Sequence, residues 1–221
     1  MNEFVDIFSS SDPADVSNSV RLLLLLTVFS LAPSILILMT SFTRILIVLS
    51  FVRTSLATQQ MPPNQVLIGI ALFLTFFIMA PTFHEINEEA LTPLFEEEIT
   101  LDEAYERASM PIKEFMAKHT RQKDLALFIN YSQMEEPETL QELPLTTLVP
   151  AFAISELKTA FQMGFMIFVP FLVIDMAVAS VLMSMGMMML PPVMISLPFK
   201  ILLFVLVDGW YLISQSLLQG F

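Results

Sequence analysis

Met183-Ser184-Met185-Gly186-Met187-Met188-Met189-Leu190-Pro191-Pro192 separates two long apolar stretches, residues 159–184 and 193–221. Three consecutive methionines fan across about 200° of a helix, so they cannot share one packed face. With Gly186 before them and two prolines after, the segment reads as a turn, and the flanking stretches as an antiparallel hairpin. A methionine stripe at helical spacing is ordinarily core filler. In a turn, the same unbranched, polarizable side chains give a soft apolar surface that repacks around whatever touches it.

Two more apolar stretches, residues 22–52 and 66–83, precede this hairpin. Each of the four is long enough to cross a hydrocarbon layer of ~30 Å, which takes about 20 helical residues. With 55% hydrophobic and 14% charged residues in a chain of 221, the composition is that of a membrane protein. The expected fold is all-α: four long apolar helices arranged as hairpins around an acidic helical insert. The segments are 1–19, an acidic N-terminal portion; 20–83, the first hairpin; 84–158, the insert; and 159–221, the second hairpin. Glu3, Asp6, Asp12 and Asp15 give the leading portion the wrong charge sign for a secretory signal, so it is expected to stay in the mature chain. Cysteine is absent, which excludes disulfides and thiolate chemistry.

The net charge of -12 is concentrated in the insert, in Glu85, Glu88, Glu89 and the run Glu96-Glu97-Glu98. Such a surface repels phosphate, so nucleic acid is excluded as a partner. Thr100-Leu101-Asp102-Glu103 fits a capping box opening a helix that should stop at Pro111. Pro111 then reads as the first residue of a second helix with Ile112, Phe115, Met116 and His119 on one side. A third helix is expected over 122–132. The basic residues Arg44 and Arg53, without an acid between the first two spans, place that connection in the cytoplasm, the insert outside and the methionine turn back on the cytoplasmic side.

Asp175, Lys200 and Asp208 interrupt the last two apolar stretches, where an ionised side chain at mid-bilayer costs about 2.5–3.5 kcal/mol. In a hairpin centred near Met188, Asp175 and Lys200 lie at depths that agree to within about 2 Å. The two are therefore expected to neutralise each other, within one hairpin or between neighbouring copies. Asp208, followed by Gly209-Trp210-Tyr211, fits a membrane interface.

Catalysis finds no support. The two histidines, His84 and His119, are isolated in the insert, and no phosphate loop, metal-ligand pair or nucleophile elbow is present. No cofactor or metal site is expected. The spacing Met183-x-Met185-x-Met187 admits one alternative class, a small-solute or Cu(I) transporter, since thioethers suit that ion. Against it stand the lack of a neighbouring cysteine or histidine and the absence of an internal repeat.

Two further stretches resemble a known family. Pro150-Ala151-Phe152-Ala153-Ile154-Ser155-Glu156-Leu157-Lys158-Thr159-Ala160-Phe161-Gln162-Met163-Gly164-Phe165 and Pro198-Phe199-Lys200-Ile201-Leu202-Leu203-Phe204, continuing to Val207-Asp208-Gly209-Trp210, are similar to the FliP proteins of the flagellar type III export gate and their injectisome counterparts. Gln59-Gln60-Met61-Pro62-Pro63 agrees, while the N-terminus lacks the cleavable signal of some relatives. The resemblance implies a helical or ring-like homo-oligomer, five copies in the family, with FliQ, FliR, FlhB and FlhA as partners and unfolded flagellar subunits as cargo. It also implies the bacterial inner membrane at the flagellar basal body, with the hairpins tilted and raised partly out of the bilayer. Met185, Met187, Met188 and Met189 are then candidates for a pore gasket. Glu156, Asp175, Lys200, Arg121 and Asp208 are candidates for charge pairing in assembly, and Phe115 and Phe128 for contacts between copies.

Overall fold

The structure, a computed structural model, describes residues 23, 26, 27, 30, 31, 33–58, 60–132, 137, 139–187 and 189–221. The chain divides into two units, Met1–Leu38 and Met39–Phe221. The described residues of the first are helical and largely exposed.

The second unit holds α1 (Phe42–Ser55), α2 (Asn64–Ile86) with a π-helical turn (Asn87–Leu91) at its end, α3 (Thr92–Phe95), α4 (Leu101–His119), α5 (Gln122–Tyr131), α6 (Leu145–Ser184), α7 (Pro192–Leu206) and α8 (Gly209–Gln219). All regular structure among the described residues is helical. Helix α1 is the central element, packed on α2 and most extensively on α6. Ile45, Val48, Leu49 and Val52 form its buried face, at the spacing that one side of a helix requires. Opposite them, α6 carries Ala151, Ser155, Ala160 and Gly164, all buried. Small residues at such positions let two helix backbones approach closely, the device that replaces the hydrophobic effect where the surroundings are apolar.

Two of the four apolar stretches lie in uninterrupted helices long enough to span a membrane, Asn64–Phe95 and Leu145–Ser184. The other two do not form single helices. The pairs Pro33–Met39 with Phe42–Ser55, and Pro192–Leu206 with Gly209–Gln219, pass the same test only when each is taken together. At the first break the Phe42 N–H bonds to the Thr40 hydroxyl at 3.3 Å, a side chain competing with the helical ladder. At the second, Asp208 adopts φ 51°, ψ 54° and the chain bends by 62°. Aspartate enters the left-handed region more readily than most residues, and always as a single residue rather than a helix.

The insert follows its local signals except at Pro111. Thr100 and Glu103 close the capping box, with Glu103 N–H to Thr100 Oγ1 at 3.3 Å and Thr100 N–H to Glu103 Oε2 at 2.9 Å. The backbone N–H of Thr100, then its hydroxyl, holds the Glu103 carboxyl below its ordinary range. Instead of stopping at Pro111, however, α4 runs through it to His119. Its buried residues Ala104, Pro111, Lys113 and Met116 straddle the proline, so packing of one continuous face outweighs the ~3 kcal/mol that an interior proline costs. Met116, Ile129, Leu143, Leu148 and Phe152 make the insert's apolar core. The last two belong to α6, so residues on either side of position 158 share one helix.

Candidate functional site: a methionine turn and the buried charges behind it

Helix α6 ends because Gly186 takes φ 76°, a conformation most side chains resist. Gly186 N–H bonds Met183 O at 3.0 Å and Met187 N–H bonds Leu182 O at 3.0 Å, the crossed pair of bonds that closes a helix on a left-handed glycine. Pro191 and Pro192 then open α7, where a missing N–H costs nothing. The described methionines in and beside the turn face outward. Met183, Met185 and Met187 are exposed, and Met189 is 99% exposed. Met188 lies outside the described residues.

Behind the turn, Lys200 Nζ donates to Asp175 Oδ2 at 2.6 Å and to the Ser55 carbonyl at 3.1 Å. Ser196 Oγ donates to the other carboxylate oxygen, Asp175 Oδ1, at 2.5 Å. The pair forms within one hairpin and also ties α7 to the last turn of α1, where a cation complements the helix dipole.

A second pair lies deeper along α1. Arg44 Nε donates to Glu156 Oε2 at 2.7 Å while Nη2 engages Oε1, a bidentate contact. Arg44 Nη1 donates to the Gly220 carbonyl at 2.7 Å, and the Phe221 ring centre lies 3.8 Å from Cζ. Arg44 is 4% exposed and Glu156 1%. Arg44 is therefore not a loop charge; it sits inside α1, and the orientation argument retains only Arg53, whose guanidinium bonds the Pro62 carbonyl and Asn64. An arginine inside residues 22–52 was itself a signal, since intramembrane charges need a partner.

Arg121 joins a third cluster. It pairs with Asp124, which also accepts from Ser155 Oγ at 2.6 Å, and the Arg121 N–H donates to Ser155 Oγ at 3.1 Å. Burial alone would raise the Asp124 pKa. The Ser155 bond, the Arg121 bond and charge, and the Lys158 charge together outweigh it and hold the carboxyl low. A depressed carboxylate stabilises the fold above its unfolded pKa and loses that contribution as pH falls through the folded value. Acid titration of thermal unfolding should therefore show a loss of stability below the ordinary carboxylate range that is smaller in Asp124→Asn. An identical acid limb in that variant would remove Asp124 as a contributor.

The remaining candidates are placed differently. Asp208 is exposed, makes no side-chain cap bond, and acts through its backbone at the α7–α8 bend. Phe115 packs in its own chain, with Phe152 and Phe221 at 6.0 Å each and His119 at 4.8 Å between ring centres. Phe128 is half-buried on α5. Sequence reasoning missed Ser196, Ser155 and Asp124, because short polar residues in or near apolar runs give no periodic signal.

Apolar helices cross-braced by buried charges, ending in an exposed methionine turn, define an all-helical protein built for a membrane. Residues 25–217 match the FliP family. The chain is 81% identical to the flagellar biosynthetic protein FliP of Bacillus subtilis over the whole of both chains. It is 56% identical to that of Caulobacter vibrioides, covering 91% of this chain and 76% of the relative, and 48% identical to that of Aquifex aeolicus, covering 97% and 94%. The chain belongs to the FliP family, and the relatives it matches are flagellar biosynthetic proteins.

Proposed function

We propose that this chain is a channel-forming core subunit of the flagellar type III protein export gate. Several copies, five in the family, bring their methionine turns to a common axis and pass unfolded flagellar subunits through the opening. FliQ, FliR, FlhB and FlhA complete the apparatus at the inner membrane of the basal body. The observation that carries the reading is the exposed turn. Met189 has almost no contact with its own chain, so its apolar surface is free to meet the same surface on other copies.

Thioether side chains at a narrow lumen close around nothing and yield around a passing polypeptide. While closed, an apolar constriction excludes water and ions by dewetting. Within this scheme Glu156, Asp175, Lys200 and Arg121 act by bracing each protomer, and the exposed aromatic and aliphatic faces of α2, α6, α7 and α8 supply contacts to partners and lipid. No enzymatic step is assigned to the chain. Family membership gives the small-solute or Cu(I) transporter reading no support.

Replacing Met187, Met188 and Met189 together with alanine is expected to raise ion leak through the assembled complex while leaving assembly intact. Planar-bilayer conductance together with the mass of the purified complex measures both. Unchanged conductance in a correctly assembled complex defeats the gasket.

A further inference from the structure

The Asp175–Lys200 pair neutralises two charges, yet it is poorly suited to fixing where α7 sits along α6. A lysine carries its ammonium on a flexible four-carbon stem and follows a carboxylate over several ångströms of sliding. Ser196 is different. Its hydroxyl is one bond from Cβ, it is wholly buried, and it meets Asp175 Oδ1 at 2.5 Å.

Ser196 and Lys200 stand four residues apart, so they share one face of α7 and approach the same carboxylate, each taking one oxygen. The hydroxyl proton has one competing acceptor, the Val193 carbonyl at 3.1 Å. The charged and closer carboxylate is the stronger of the two. We infer that Ser196 is a positioning residue: its hydrogen bond to Asp175 sets the register of α7 against α6, and so how far the methionine turn projects. Lys200 supplies the charge balance; Ser196 supplies the position. The inference uses the gasket reading only for its consequence at the pore.

Register is read directly by spin labels at two exposed sites, Val173→Cys on α6 and Leu202→Cys on α7, in the full chain in detergent. In the Ser196→Ala background the distance distribution should widen and its mean should move by up to one helical turn, about 5.4 Å. Ser196→Thr, which keeps the hydroxyl, should restore the narrow distribution. Ser180→Ala serves as control, because that hydroxyl bonds only the Met176 carbonyl of its own helix, at 2.9 Å, and should change nothing.

A distribution for Ser196→Ala identical to that of the parent overturns the inference. Should Ser196→Ala fail to fold, Ser196→Thr is compared with the isosteric Ser196→Val: a distance displaced in Ser196→Val but not in Ser196→Thr supports the inference, and equal distances overturn it. Ion leak of the assembled complex separates the two readings. A shifted register with raised leak supports both, whereas a shifted register with parental leak upholds the role of Ser196 and defeats the gasket.

Discussion

Arg44→Ala is expected to cost about 3–5 kcal/mol, enough to lower the yield of folded chain sharply, because it leaves the Glu156 carboxylate buried without its partner. Total stabilities of ordinary proteins are only about 5–15 kcal/mol. The loss is compounded at Gly220, whose carbonyl gives up its Arg44 donor, and at Phe221, whose ring gives up the guanidinium beneath it. Glu156→Ala should be comparably severe, since it strands the opposite charge. Replacing both with leucine should recover much of the loss, as apolar pairs often replace buried ion pairs without penalty. Recovery will be partial because the Gly220 carbonyl still lacks a donor. Yield and thermal unfolding in detergent measure the series, and a single variant with parental stability would show that this pair is hydrated.

Gly164→Ala should destabilise by about 1–3 kcal/mol, the usual cost of overpacking. In an exposed helix interior the same change stabilises by roughly 0.8–1 kcal/mol, so the expected sign is reversed by packing. A Cβ at Gly164 would lie 2.5 Å from two ring carbons of Phe51 and 3.0 Å from the Phe51 Cβ. The base of that side chain cannot swing aside, so α1 and α6 must separate. Gly69 provides the contrast, since a Cβ there meets nothing within 4 Å and Gly69→Ala should be neutral or stabilising. Phe51→Ala should suppress the effect of Gly164→Ala, because the two changes share one contact. Additive losses in the double variant would show that the clash is not the cause.

What the sequence disclosed was governed by local rules. The capping box at Thr100 and the turn between Gly186 and the two prolines depend on a few neighbouring residues, and each formed as expected. Composition announced the apolar helices, but not their breaks at Thr40–Ser41 and Asp208, because hydropathy is blind to a hydroxyl or to one left-handed residue. Pro111 misled in the other direction: a local stop signal was overruled by a buried face that only the folded insert provides. The pairing of Arg44 with Glu156 spans 112 positions and has no periodic trace. It was legible only as an unexplained cation in an apolar run, a sign spent instead on membrane orientation. For the methionine turn, sequence supplied the location and the structure supplied the outward facing of its described methionines.

Helix α6 is 40 residues long, about 60 Å, or roughly twice the thickness of a bilayer's hydrocarbon layer. Its first turns are cemented into the insert by Leu148 and Phe152, and its last turn leads into the methionine turn. The insert's core and the methionine turn are thus joined by one helix. Torque applied to the insert must emerge at the tip unless it is absorbed along the way. Between the insert and the tip, Pro170 leaves the ladder one donor short, which is where a rod of this kind bends most readily.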